Sequence, residues 1–271
     1  MRTAMAQTVL ILVLIGAGCG EESGVCGHDS SGGQAPGSGG APAGSYQVTI
    51  AMAQPTVEAL ANSGYYLYVF KAIGGSDKAG LPLVWFRTQH YALNTVIQWE
   101  EQYFAYTSFT PLASPTPISI GASYSIAPGQ ILNVQTQGLG VINDGDQPGA
   151  LEIDNETMSP FTCGISQPHH IAGDEDAPTP ICAFPLYGLH SQIFTPVAKV
   201  LLLFATDSVA PGTPVETAFS AGVLIDLADA NARAVSYDIN KGWSWGSSVW
   251  AKPVADQTPL HPLLIEPLSA M

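Results

Sequence analysis

The sequence predicts an all-β protein, a single-domain antiparallel β-sandwich of about ten to thirteen short strands with at most a short helix near residues 55–62. Three observations support this prediction. Runs rich in aromatic and β-branched residues recur along the chain. The 28 glycines and 21 prolines among 271 residues interrupt these runs too often for long helices. Several runs alternate apolar with polar residues, which is the period of a strand that buries one face.

The first predicted elements lie close together in the chain. Val48, Ile50 and Met52 alternate with polar or small residues and predict a strand. A short helical segment follows and ends near Gly64, which we expect at the C′ position. Two aromatic-rich runs between Gly64 and Phe86 then predict a buried pair of antiparallel strands at the centre of the sheet.

The later elements continue this pattern. Residues 94–107 predict a long strand with an aromatic face, and a helix is the alternative. Residues 199–206 are apolar on both faces, which predicts a central strand of a sandwich. Further short strands are expected up to the tryptophan-rich residues 242–250. We therefore assign residues 46–271 to one β-sandwich domain.

The charge of the chain restricts its partners. It carries 8 basic and 22 acidic residues, a formal net charge of −14, and no Lys or Arg lies between Arg87 and Lys199. Nucleic-acid-binding proteins neutralise phosphates with these side chains, so the sequence argues against nucleic acid as a partner. Anionic membrane surfaces are disfavoured for the same reason.

The N-terminal residues have the pattern of an export signal. Residues 1–18 contain Arg2, an apolar run from Val9 to Ile15, and the small residues Gly16-Ala17-Gly18. The run is too short to span a bilayer as a helix and has the length of the apolar region of a signal peptide. We expect residues 1–18 to be a signal peptide.

Small residues directly before Cys19, after an aliphatic run, resemble the lipobox of bacterial lipoproteins. The resemblance implies that Cys19 is the lipidated first residue of the mature chain. It also implies a place in the bacterial cell envelope, at the outer membrane or cell surface, with membrane contact only through this lipid. That family usually has leucine three residues before the cysteine, where this chain has Gly16. Ordinary cleavage near Ala17, which would give a secreted protein, is the alternative.

The sequence after the signal predicts a flexible linker, and the cysteines of the domain predict a disulfide. Residues 19–45 are rich in Gly and Ser with almost no large apolar residue, which is typical of a flexible linker. Cys26 lies within this linker. Cys163 and Cys182 are then the cysteine pair of the domain, and export into an oxidising space predicts a disulfide between them.

Two segments carry candidate metal ligands, and no other cofactor is indicated. The segment between the two cysteines contains His169, His170, Asp174 and Asp176, which could hold a divalent metal. The alternative is a solvated polar loop. Residues 143–146, Asn-Asp-Gly-Asp, offer oxygen ligands for Ca²⁺, but they lack the EF-hand pattern and fit a hairpin turn better.

Exposed aromatic residues are the candidates for ligand binding. Trp99, Tyr103 and Tyr106, together with Trp243 and Trp245, could form a row that stacks on sugar rings. Core packing is the alternative explanation for these residues.

Local motifs for nucleophilic catalysis are absent from the sequence. A catalytic arrangement would have to assemble from distant positions, such as His90 or His190 with Asp226 or Asp238. We therefore expect an exported, lipid-anchored module that binds a carbohydrate or protein partner. A secreted hydrolase with a distributed active site and a membrane-active protein of pore-forming type are the alternatives.

Overall fold

A computed structural model describes residues 44–112, 116–174 and 177–268. It confirms the all-β sandwich. The predicted signal peptide, Cys19 and nearly all of the predicted tether lie outside these residues, as does Asp176. The described strands are β1 Ser45–Met52, β2 Tyr66–Gly75, β3 Leu81–Pro82, β4 Phe86–Thr88, β5 Asn94–Glu100, β6 Tyr103–Ser108, β7 Ala122–Ile126, β8 Gln130–Val134, β9 Gly140–Asp144, β10 Leu151–Asn155, β11 Phe161–Gln167, β12 Thr179–Pro180, β13 Cys182–Leu186, β14 Ser191–Ala205, β15 Gly222–Asp226, β16 Ala232–Asp238, β17 Gly242–Ser244, β18 Ala251–Val254 and β19 Ile265–Pro267.

The described residues contain nineteen strands, which is more than the ten to thirteen strands predicted from the sequence. The excess arises because several pieces have only two or three residues, such as β3, β4 and β12, which are too short to give a periodic pattern. Helical structure in the described residues is limited to α1 Gln54–Asn62, the single turn α2 His261–Leu264 and a 3₁₀ turn at Thr136–Gly138.

The strands form three sheets. The first has the order β17-β16-β1-β5, and the third has the order β3-β13-β11-β6-β7 with β12 beside β11. The second and largest runs β18-β15-β14-β10-β8-β9, and β2 joins it between β14 and the short strands β4 and β19. Residues from all three sheets, including Val48, Val69 and Ile165, meet in one apolar core. Packing of sheet against sheet is therefore the main source of burial.

The N-terminal elements follow the predicted pattern. Val48, Ile50 and Met52 of β1 face the core. The helix α1 ends at Asn62, and Gly64 occupies the expected C′ position with a φ of 71°, in the left-handed region that glycine adopts without steric cost. The amide of Gly64 donates to the carbonyl of Ala61, and the amide of Tyr65 donates to that of Leu60. These two bonds form a Schellman motif, which turns the chain from α1 into β2.

The predicted central pair is only partly correct. Tyr68 and Val69 of β2 do pair with the antiparallel strand β4, but β3 instead pairs with β13 in another sheet. The main partner of β2 is β14, which contains residues 199–205 of the predicted central strand and is buried along its second half. The register between β2 and β14 shifts between Pro196 and Val200, where β14 bulges.

Candidate functional site

The predicted aromatic row lies mainly in the core. Trp99, Tyr103 and Tyr106 are each at most 3% exposed, so the expectation that they face solvent is wrong. The Trp99 ring stacks on Tyr46 at 5.5 Å and meets Trp85 edge-on at 5.6 Å. The Tyr106 hydroxyl donates to the carbonyl of Cys182 at 2.7 Å, and burial raises its pKa well above the usual value. Trp99 and Tyr103 belong to the main apolar core, whereas Tyr106 lies in a smaller buried cluster.

The other two aromatic candidates are half-buried. Trp243 stacks on Phe204 at 5.5 Å and also packs against Tyr237. The Trp245 indole donates to the carbonyl of Ser248 at 3.1 Å, and its ring packs against the core. Neither of them joins Trp99, Tyr103 or Tyr106 in a common exposed surface.

The predicted metal site does not assemble. His169 is buried with its ring stacked on Phe86 at 3.7 Å, whereas His170 is exposed and pairs with Gln98 through its backbone. Adjacent residues of an extended segment point to opposite sides, which separates the two imidazoles. Asp174 instead bonds to Nδ1 of His90 at 2.6 Å. Within the described ranges, no three His, Cys, Asp or Glu side chains gather closely enough to hold a metal ion.

Residues 143–146 do not form a hairpin turn either. Asn143 and Asp144 are the last residues of β9, and the chain then crosses to β10, which runs parallel to β8 on its other side.

The burial of Glu152 in β10 raises its carboxyl pKa, with a further contribution from the nearby carboxylates of Asp154 and Asp146. This part of the sheet therefore concentrates negative charge.

The predicted disulfide is also absent. Cys163 and Cys182 are buried free thiols on the neighbouring strands β11 and β13. Cys163 lies opposite Phe184, so Cys182 is its diagonal neighbour two residues along. Diagonal positions in a sheet are about 7–8 Å apart, which exceeds the reach of a disulfide. Burial raises the pKa of both thiols, and that of Cys182 reaches about 12.

The candidate catalytic pairs are not brought together. His90 bonds to Asp174, and Nδ1 of His190 lies 2.8 Å from the carbonyl of Gly188. Asp226 instead lies 3.5 Å from the amine of Lys199. In the described part of the chain, neither His90 nor His190 forms a hydrogen bond with a serine hydroxyl.

The same Lys199 lines a groove of about 460 Å³ beside Trp250. Its amine lies 2.6 Å from a carboxylate oxygen of Glu266 and close to Asp226. Two lining residues of the groove contact Arg233, which stacks on Trp250 and pairs with Asp229. Most charges in the groove are thus paired with one another, and the groove has little net charge to attract an ion.

A buried lysine is an additional feature that the sequence did not reveal. Lys71 of β2 is 3% exposed, and its amine donates to the carbonyl of Val197 at 3.1 Å. That carbonyl lies in the β14 bulge. The amine also lies 5.2 Å from the centre of the Trp99 ring. Burial lowers the pKa of Lys71 from 10.5 to about 7, and nearby Glu101 partly opposes this shift.

One end of the sandwich carries a cluster of exposed apolar side chains, which we call the loop end. Here β6, β8, β10 and β13 end, and β7, β9, β11 and β14 begin. Five large apolar residues next to these strand ends are each more than half exposed: Phe109, Leu139, Met158, Tyr187 and Leu189. Isolated exposed apolar residues are common, but five of them at one end of the sandwich make this end a candidate interaction surface.

The loops at this end contact one another. The Phe109 ring lies 5.4 Å from Phe161, and the Thr107 hydroxyl donates to the carbonyl of Gly138, next to Leu139. The amide of Leu189 donates to the carbonyl of Thr157, beside Met158. These contacts connect the loops into one surface.

Buried Asn155 fixes two of these loops. Its side-chain amide donates to the carbonyls of Ser159 and Tyr187, at 2.7 and 3.1 Å. Its side-chain oxygen accepts hydrogen bonds from the amide and hydroxyl of Thr157. The exposed side chains of Met158 and Tyr187 are therefore carried on a rigid support, which lowers the entropy cost of binding.

The comparisons with known proteins give no relative. No protein-family model, no curated protein and no solved structure matches this chain. Among the described residues, no helix has the length and apolar content needed to span a membrane.

Proposed function

We propose that this protein is an exported, lipid-anchored binding module that recognises a protein partner through the loop end. The observation that carries the proposal is the group of five exposed apolar side chains at one end of the sandwich, with the loops of Met158 and Tyr187 held by hydrogen bonds to Asn155. Phe109, Tyr187 and Met158 are of the residue types that are enriched in the centres of protein interfaces. Full burial of one such side chain contributes about 1.5–3 kcal/mol, so a partner covering several of them would bind firmly.

The charge of this surface favours a protein over an anionic membrane. All five side chains lie between Arg87 and Lys199, where the chain has no Lys or Arg, and Glu156 adds a negative charge two residues before Met158. The connection between β2 and β3, which bonds to Gln192 at the start of β14, adds one acidic and one basic residue, Asp77 and Lys78. An anionic membrane would be repelled, whereas a protein with an apolar surface and basic residues around it would be complementary.

Two of the alternatives have less support. The aromatic residues expected to stack on sugars are mostly in the core, so they do not form an exposed platform for a saccharide. A pore-forming mechanism would need the Trp99 segment to leave the core, where its ring is held between Tyr46 and Trp85. The loop end supports protein recognition more directly.

The test is a selection of random phage-displayed peptides on the immobilised protein. A variant carrying Met158→Asp and Leu189→Asp places two charges within the loop end. We expect selected peptides to bind this variant roughly tenfold or more weakly than the natural protein, because both substitutions disrupt the apolar contact.

Val249→Asp is the matched control, since Val249 is 91% exposed and lies outside the loop end. Circular dichroism verifies that all variants keep the same fold. Peptides that bind the double variant and the natural protein equally well would contradict the proposal. Binding of the natural protein to phosphatidylcholine vesicles, lost in the double variant, would replace the protein partner with a membrane.

A further inference from the structure

The outer edge of β9 presents backbone groups that no neighbouring strand uses. β9 is the last strand of the large sheet, next to β8. The amide of Gln135 donates to the carbonyl of Leu139, and the amide of Gly145 donates to the carbonyl of Gly129. In an antiparallel ladder, hydrogen-bonded residue pairs alternate with non-bonded pairs, so these two bonds determine which residues of β9 bond to β8. Val141 and Asn143 therefore bond toward β8. The N–H and C=O groups of Gly140, Ile142 and Asp144 point away from the sheet.

Only the first position of this edge is partly covered. The amide of Gly140 donates to the Tyr124 hydroxyl at 2.9 Å. Within the described residues, the N–H and C=O groups of Ile142 and Asp144 have no hydrogen-bond partner from the protein. Two consecutive outward-facing positions are thus available to an added strand.

The edge strand on the opposite side of the same sheet, β18, is protected against the addition of another strand. β18 contains an exposed Lys252 and, next to it, Pro253. A lysine and a proline on an edge strand both discourage the addition of further strands. The sequence of β9, Gly-Val-Ile-Asn-Asp, has neither.

The side chains around β9 define the chemistry of an added strand. Val141 is half exposed and follows Leu139 of the loop end. Asp144 closes the strand, Asp146 follows it, and β8, β9 and β10 contain no Lys or Arg. This edge is therefore apolar near the loop end and negatively charged at its other end, which suits a strand that alternates apolar and basic residues.

We propose that the β9 edge binds an extended segment of the partner by strand addition, and that this segment carries basic residues alternating with apolar ones. The inference rests on the proposed function, because it places the partner's segment directly beside the loop end. Main-chain hydrogen bonds to Ile142 and Asp144 provide the binding, and Val141 and Asp144 select the sequence.

The test uses a synthetic peptide of alternating valine and lysine and measures amide hydrogen exchange by NMR. A strand added to β9 forms hydrogen bonds with the amides of Ile142 and Asp144, so saturating peptide should slow their exchange roughly tenfold or more. The same peptide N-methylated at every second residue, on the side that faces β9, should give no such protection, because its methyl groups replace the donors to the β9 carbonyls and block the close approach of the strand.

Two variants and a second peptide test the specificity. Val141→Lys should weaken binding roughly tenfold by placing a lysine on the edge, whereas Val141→Thr keeps a β-branched residue and should bind normally. An alternating valine and glutamate peptide should not bind, because Asp144 and Asp146 repel it.

Three results would overturn the inference. The first is unprotected Ile142 and Asp144 amides at saturating valine-lysine peptide. The second is equal binding of the glutamate peptide. The third is protection of these amides by the protein alone as its concentration rises, which would make a second copy the occupant. If any of these occurs while the Met158→Asp and Leu189→Asp variant still loses the phage-selected peptides, the β9 inference fails and the proposed function stands.

Discussion

The replacement of Lys71 by methionine should stabilise the protein most in mild acid. Methionine keeps the length of the side chain but removes the amine that burial places in the core. The folded-state pKa of Lys71 is about 7, against 10.5 for a free side chain. Below about pH 7 the lysine is protonated in both states, so the folded protein carries the full cost of a buried charge. A difference of about 3.5 pKa units corresponds to about 5 kcal/mol.

This cost decreases as the pH rises. Between about pH 7 and pH 10.5 the unfolded state binds more protons at this position than the folded state, so the stability of the natural protein increases with pH. The cost falls by about 3 kcal/mol between pH 6 and pH 9. The Met variant lacks this dependence. It also leaves the carbonyl of Val197 without the Lys71 hydrogen bond, which reduces its advantage by about 1–3 kcal/mol at every pH.

Urea denaturation at about pH 6 and about pH 9 measures the effect. The advantage of the Lys71→Met variant over the natural protein should be about 3 kcal/mol larger at the lower pH. Lys252→Met is the control, because Lys252 is exposed on β18, and it should show no such pH dependence. An advantage that is equal at both pH values would refute the assignment of Lys71 as a buried amine with a lowered pKa.

Three further predictions concern the two thiols, the β11–β13 contact and the support of the loop end. Cys163 and Cys182 should both react with a thiol reagent only after unfolding, and mass spectrometry should find both reduced in the folded protein. Gly164→Ala should destabilise the protein by about 2 kcal/mol or more in urea denaturation, because its β carbon would overlap the Cys182 carbonyl; unchanged stability would contradict this packing. Asn155→Ala should cost about 1–3 kcal/mol and speed amide exchange at Leu189, whereas exchange at the natural rate would show that Asn155 does not hold the loops.

The fold class could be predicted because it depends on local patterns. The alternation of Val48, Ile50 and Met52 identifies a strand and its buried face without knowledge of its neighbours. In the same way, Gly64 marks the end of α1 because only a residue that tolerates positive φ fits there easily. The pairing of β3 with β13 instead of β2 could not be found in this way, because strand pairing depends on distant parts of the chain.

The site was harder to predict because it depends on how sheets cover one another. Periodicity indicates that residues share a face, but it does not tell which face a second sheet will cover, so it cannot decide between an exposed row and core packing for Trp99 and Tyr106. The apolar loop residues did leave a signal. Met158 stands alone among polar and turn-forming residues, and such a position has no core to enter.

The exposure of Met158 tests the basis of the proposed function most directly. Brief treatment of the folded protein with hydrogen peroxide, followed by peptide mass spectrometry, compares Met158 with Met52, which is 7% exposed in β1. We predict that Met158, at 81% exposure, is oxidised much faster than Met52. Equal protection of both methionines in the partner-free protein would mean that the loop end is already covered, and would contradict its role as a recognition surface.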